Sequence, residues 1–118
     1  MKASFVPGPQ DQGFDDVVHG GIISAVLDEA MAWATARAGI WAVTAEMRVR
    51  LRQPLKIGEP TTVVAGVSGT RGRLVMTAAE LQLDRDGSPV AMSSATFVKV
   101  DADIEANWRA RYLRESDT

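Results

Sequence analysis

The sequence predicts an α+β fold: one long helix wrapped by an antiparallel sheet of four to five strands, with a second helix at the C-terminus. Two changes of hydrophobic period carry this reading. From Ile22 to Ala38 the chain is rich in Ala, Leu, Ile, Val, Met and Trp around nearly the whole helical circumference, closed by Gly39. From Ile40 to Val100 apolar and polar residues alternate in runs separated by short turns, the pattern of strands with one buried face. Short connections between successive strands imply an antiparallel meander.

The elements follow in order. Residues 1–18 are weakly patterned, with loop signals at Pro7-Gly8-Pro9 and Gln12-Gly13 and a possible short strand at Phe5-Val6. Next comes the helix, introduced by His19-Gly20-Gly21; Arg37 in its last turn and Gly39 just beyond suit a helix end. A helix apolar on all sides is expected to be buried. It is shorter than the ~20 uncharged residues of a membrane span, and Asp28 and Glu29 lie near its middle. Val43, Ala45, Met47, Val49 and Leu51 then alternate with Thr44, Glu46, Arg48, Arg50 and Arg52 in a first long strand that ends at Pro54. Thr61–Val67, Arg73–Leu83 and Val90–Val100 are the next three, and Asp86-Gly87 supplies the positive φ of a hairpin turn. Ile104, Trp108 and Tyr112 share one face of the C-terminal helix, expected over 102–114. All of 1–118 reads as one domain with its core at about 5–100. A single sheet offers this helix one face, so packing alone favours a homodimer.

Composition narrows the chemistry. The net charge of −2 gives no basic field for nucleic acid. With no cysteine there is no thiol nucleophile, disulfide or thiolate metal site, and one histidine excludes metal sites built on two imidazoles. No apolar signal core opens the chain, and the expected location is cytoplasmic. A carboxylate, a hydroxyl or His19 must do any catalytic work.

Two features of the central stretch converge. At Gly20-Gly21 a helix start leaves backbone N–H groups unpaired, backed by the positive end of the helix dipole, which suits a developing oxyanion. Asp28 is a mid-helix carboxylate that needs a partner if it is desolvated; Ser24, a strand arginine, or an exposed polar flank carrying Ser24 and Thr35 would each satisfy it. Gly20 and Asp28 are eight residues apart, roughly 12 Å along a helix axis, too far to hold one reacting group within one chain. Two such helices packed antiparallel across a dyad would bring the start of one to the middle of the other. A carboxylate and an oxyanion donor without metal or thiol suit attack on a carbonyl. His19 lacks a Gly-x-Ser-x-Gly elbow to serve, so its expected role is hydrogen bonding at the helix start. Among exposed cations, Arg71 and Arg73 in one turn form the best pair for phosphate groups. Trp33 and Trp41 with Met31 could line an apolar pocket or belong to the core.

His19-Gly20-Gly21-(six residues)-Asp28-Glu29-Ala30, with Val43-Thr44-Ala45-Glu46-Met47 and Arg52-Gln53-Pro54-Leu55-Lys56-Ile57-Gly58-Glu59 downstream, resembles the hotdog-fold acyl-CoA thioesterases of the PaaI-like group, part of the 4-hydroxybenzoyl-CoA thioesterase superfamily. The resemblance covers about residues 5–100. It implies that Asp28 acts as nucleophile or general base and that the Gly20 N–H meets the thioester oxygen across a dimer interface. By the same resemblance His19 shapes the loop and Thr44 positions water from a partner strand. Gly21, Arg71, Arg73 and Trp33 would contact substrate. No cofactor is implied, coenzyme A being part of the substrate, and the assembly would be a dimer or a dimer of dimers. One departure stands out: the family often has Asn or Gln seven residues before the oxyanion glycine, where this chain has Gly13; Gln12, next to it, would serve as the second catalytic contact with a small shift of the loop. A non-catalytic acyl-CoA or lipid binder is the alternative reading, and an enoyl-thioester hydratase a weaker one.

Overall fold

Thr61–Arg71 and Leu74–Leu83 form the middle of an antiparallel sheet, joined at a tight turn where Gly72 takes φ +59°. The computed structural model describes residues 1–113. In chain order the strands are β1 (Lys2–Phe5), β2 (Ala42–Leu51), β3 (Thr61–Arg71), β4 (Leu74–Leu83) and β5 (Pro89–Lys99), arranged β1-β3-β4-β5-β2. The long helix α1 spans Gly20–Arg37 and lies across one face of this sheet. After β5 come α2 (Ala102–Trp108) and a π-helical turn over Arg109–Leu113. Residue 114, the expected helix end, lies outside the described residues.

Period-two patterning explains the sheet's buried face. Val75, Thr77, Ala79, Leu81 and Leu83 of β4 alternate inward, as do Ala91, Ser93, Ala95 and Phe97 of β5 and Val63 and Ala65 of β3. Ile23, Leu27, Ala30, Met31 and Ala34 of α1 pack on them. Leu27 and Met31 are fully buried, each worth about 1.5–3 kcal/mol relative to exposure.

Only half of α1 is covered in this way. Ala25, Trp33 and Ala36 are exposed, with Trp33 at 54%. The expectation of a helix buried on every side is thus corrected: the sheet of one chain has a single face to give, and the opposite flank of the helix stays bare. Met31 belongs to the core, which removes it from any pocket.

The first long strand departs from the alternation read in the sequence. Thr44 is opposite Phe97 and Glu46 is opposite Thr96, so Ala45 is an extra, bulged residue. A bulge reverses the side-chain phase on either side of it. Met47 and Val49 therefore pack toward the core, whereas Val43 and Ala45, expected to be buried, are exposed. The same phase change turns Thr44 to the helix side. Elsewhere, β3 runs beyond Val67, the expected break, to Arg71, absorbing an irregularity between Val67 and Gly69.

Candidate functional site

The start of α1 is shaped by His19. Its backbone is extended (φ −62°, ψ 135°), and its Nδ1 accepts a 2.8 Å hydrogen bond from the Gly21 N–H. An accepting Nδ1 places the proton of the neutral ring on Nε2. The His19 carbonyl takes the N–H groups of Ile22 and Ile23. Gly20 alone of the four residues Gly20–Ile23 keeps an N–H without a partner among the described residues. That is the donor the sequence marks out, and capping by His19 leaves it free at the positive end of α1.

The preceding loop is held tightly. The His19 N–H donates to the Asp11 carbonyl at 2.9 Å, and the Gln12 side-chain oxygen accepts from the Asp16 N–H at 3.2 Å. Asp16 takes a positive φ of 60°. Gly13 lies flat against His19: a Cβ there would meet the His19 Cα at 3.1 Å. A side chain at Gly13 would therefore need His19 to give by a few tenths of an ångström. Gln12 serves the loop's own turn.

Asp28 lies a little over two turns further along α1 and is partly exposed. Its Oδ1 accepts a 2.8 Å hydrogen bond from the Thr44 hydroxyl of β2. Neither Ser24 nor an arginine satisfies it: Ser24 donates to the Gly20 carbonyl at 2.9 Å, and Thr35 is buried and donates to the Ala32 carbonyl at 2.7 Å. The polar flank foreseen along Ser24, Asp28 and Thr35 is therefore three separate bonds. Asp28 and Thr44 form a pair at the outer edge of the sheet, because β2 is its last strand.

Gly20 sits at the other end of the same edge. A Cβ on Gly20 would meet the Leu51 Cδ1 at 3.2 Å. Since α1 runs antiparallel to β2, the Gly20 donor is near Leu51 and the Asp28 carboxylate near Thr44, eight residues and about 12 Å apart along the helix. One chain does not bring them together.

Arg71 and Arg73 lie at the turn joining β3 and β4, the third and second strands in from β2. Arg73 donates to the Lys99 carbonyl and to Asp101, each at 2.8 Å, tying the turn to the start of α2. Arg71 is exposed and forms no ion pair among the described residues. Trp33 faces an open groove along α1 together with Trp41 and Tyr112. Sequence reasoning gave Tyr112 no role beyond an amphipathic face and Leu51 none at all; the period of Ile104, Trp108 and Tyr112 hinted at the first.

No helix among the described residues is long and apolar enough to cross a membrane. A model of the thioesterase superfamily matches residues 15–90. The acyl-coenzyme A thioesterase THEM4 of Xenopus laevis is 25% identical over 100 residues, covering 85% of this chain and 45% of that protein. The chain thus spans about half the length of this curated relative. An acyl-CoA hydrolase from Staphylococcus aureus, solved with butyryl coenzyme A and coenzyme A, is 28% identical with a TM-score of 0.78, covering 87% of this chain and 64% of that one. The PaaI protein of the E. coli phenylacetic acid degradation operon superposes with a TM-score of 0.79 at 19% identity, over 85% and 72% of the two chains, and shares the fold. With its helix laid on a five-stranded antiparallel sheet and the family pattern spanning loop, helix and strands, the chain has the hotdog fold and belongs to the thioesterase superfamily.

Proposed function

We propose that this chain hydrolyses an acyl-CoA thioester to the free acid and coenzyme A, at a site completed by a second copy of itself. The observation that carries this reading is the placement of Asp28–Thr44 and Gly20 at opposite ends of one open strand edge.

Antiparallel pairing of β2 with its counterpart in a second copy would repair the separation. With Ala45 bulged, a dyad at Arg48 sets Thr44 opposite the partner's Leu51 and Met47 opposite the partner's Val49. It also sets Glu46 opposite the partner's Arg50, an attractive cross-strand charge pair. Arg48 falls on the axis, already 3.4 Å from Glu46. The partner's Gly20, beside the partner's Leu51, then faces Asp28.

In this site Asp28 acts as the general base. Thr44 fixes one of its carboxylate oxygens and leaves the other to take a proton from water. The water oxygen bonds to the thioester carbon, and the carbonyl oxygen becomes an oxyanion that accepts from the partner's Gly20 N–H. Collapse breaks the C–S bond, and the proton held on Asp28 passes to the departing thiolate. A backbone donor aimed at the developing charge contributes on the order of 10²–10³ in rate, and general-base help about 10²–10⁴. His19 keeps the donor free; Gly21, bonded to His19, supports it. For the phosphates of coenzyme A, Arg71 is the better member of the turn pair, because Arg73 is committed to Asp101. Gln12 orders the loop without touching substrate.

The test is thiol release from a panel of acyl-CoAs by wild type and Asp28→Asn. Loss of turnover in a variant that keeps its thermal transition supports the reading; undiminished turnover overturns it.

A further inference from the structure

An apolar groove of about 450 Å³ runs along the bare flank of α1, within the ~300–1,000 Å³ usual for small-molecule sites. Ala32 and Ala36 line it beside Trp33, Trp41 and Tyr112. Asp28, Ala32 and Ala36 follow one another at intervals of four on one side of the helix, so the groove starts one turn beyond the carboxylate. It continues to Ala36, about 12 Å along the helix from Asp28. Two alanines in succession are what leave the space open.

The far end is built by the C-terminal segment. Arg109 donates to the Gly39 carbonyl at 3.3 Å and to Glu105 at 2.9 Å, and its guanidinium lies 5.6 Å from the centre of the Trp41 ring. These contacts fasten α2 and the following turn over the end of α1, and Tyr112 reaches the groove from there. Glu29 and Arg37, of opposite charge, also line the groove, and its other walls are the alanines and aromatic rings.

We propose that this groove is the acyl subsite, taking a medium-chain, unbranched acyl group, and that Ala36 and Tyr112 set its length; this rests on the thioesterase reading above. The carbonyl sits at Asp28, the chain lies over Ala32 and Ala36 between the two tryptophans, and Tyr112 forms the end wall. The C-terminal segment thereby becomes a specificity element of the enzyme.

The experiment compares kcat/KM for decanoyl-CoA and acetyl-CoA, as a ratio within each preparation, in wild type, Ala36→Trp and Tyr112→Ala of the full chain. Filling the groove in Ala36→Trp should lower the ratio at least about tenfold, and opening its end in Tyr112→Ala should move the preferred acyl length upward. Ratios unchanged within about twofold in both variants overturn the proposal. So does an Ala36→Trp protein whose ratio holds while its mass by light scattering halves, which assigns the groove to a second copy. If wild type releases no thiol from any acyl-CoA, the thioesterase reading falls, and the groove is read by calorimetry with a non-hydrolysable decyl-CoA thioether against coenzyme A. Tighter binding of the thioether by wild type, lost in Ala36→Trp, sustains the groove; equal affinities overturn it.

Discussion

The Thr44 hydroxyl donates to Asp28 at 2.8 Å across sixteen residues of sequence, and it does so because Ala45 is bulged out of the ladder. Strict alternation would have turned Thr44 to the opposite face of β2. The bulge therefore sets which oxygen of Asp28 is occupied and which is open to water.

Thr44→Val should consequently lower kcat while leaving KM nearly unchanged. A hydrogen bond to a charged group is worth about 1.5–3 kcal/mol, so the expected loss is roughly tenfold to a hundredfold. Asp28→Asn should lose more, on the order of 10²–10⁴. Steady-state kinetics on one acyl-CoA separates the two variants.

Gly20→Pro removes the N–H proposed as oxyanion donor and little else. Gly20 is the first residue of α1, a position where proline is tolerated. His19 is extended, as a residue before proline must be. Gly20→Ala adds a Cβ against Leu51 but keeps the N–H and is the control. The proline variant should lose about 10²–10³ in kcat, with the alanine variant well above it. Mixing Gly20→Pro with Asp28→Asn protein should restore part of the activity, because one of the two sites in a mixed dimer is intact.

If Asp28 is the base, a single turnover in ¹⁸O-water puts the label in the released acid and none in the Asp28 peptide. Mass spectrometry of that peptide checks this; label on Asp28 would instead mark an acyl-aspartyl anhydride.

His19→Ala should cost about 0.5–2 kcal/mol of stability through the lost cap, with His19→Asn recovering most of it. Thermal unfolding of the three proteins reads the difference.

Asp86 gives a pH signature. The backbone and side chain of Ser88 hold its carboxyl below the usual carboxylate range. A depressed folded-state value means that the unfolded chain binds the proton more readily, so stability rises with pH through this range. Wild type should therefore exceed Asp86→Asn in thermal midpoint at neutral pH, and the gap should close as pH falls below the ordinary aspartate range.

Much of this was legible in the sequence, and the exceptions share one cause. The four long strands, the hairpin at Asp86-Gly87 and the helix with its closing Gly39 are local patterns and are found close to where the patterns put them, whereas the short strand expected at Phe5-Val6 is Lys2–Phe5 and β3 runs on to Arg71. Gly20 and Asp28 stood out because a glycine pair and a mid-helix carboxylate are locally odd. The phase of β2 was misread because a bulge leaves no mark in composition: Ala45 fits an alternating strand as well as it fits a bulge. Arg73 was read as a free cation because its partner, Asp101, is distant in sequence. Tyr112 gained a place only when Arg109 was seen to pin the C-terminal segment over Trp41.

The open edge of β2 carries a further consequence, for how the protein survives in a cell. An unpaired strand of this length is a template on which any other extended chain can add. Its side chains moderate that hazard through Arg48, Arg50 and Glu46, but its amides and carbonyls are unguarded unless the second copy proposed above covers them. Dilution should therefore remove activity and expose an adhesive surface together. Selection against clumping and selection for turnover would then act on the same row of backbone atoms.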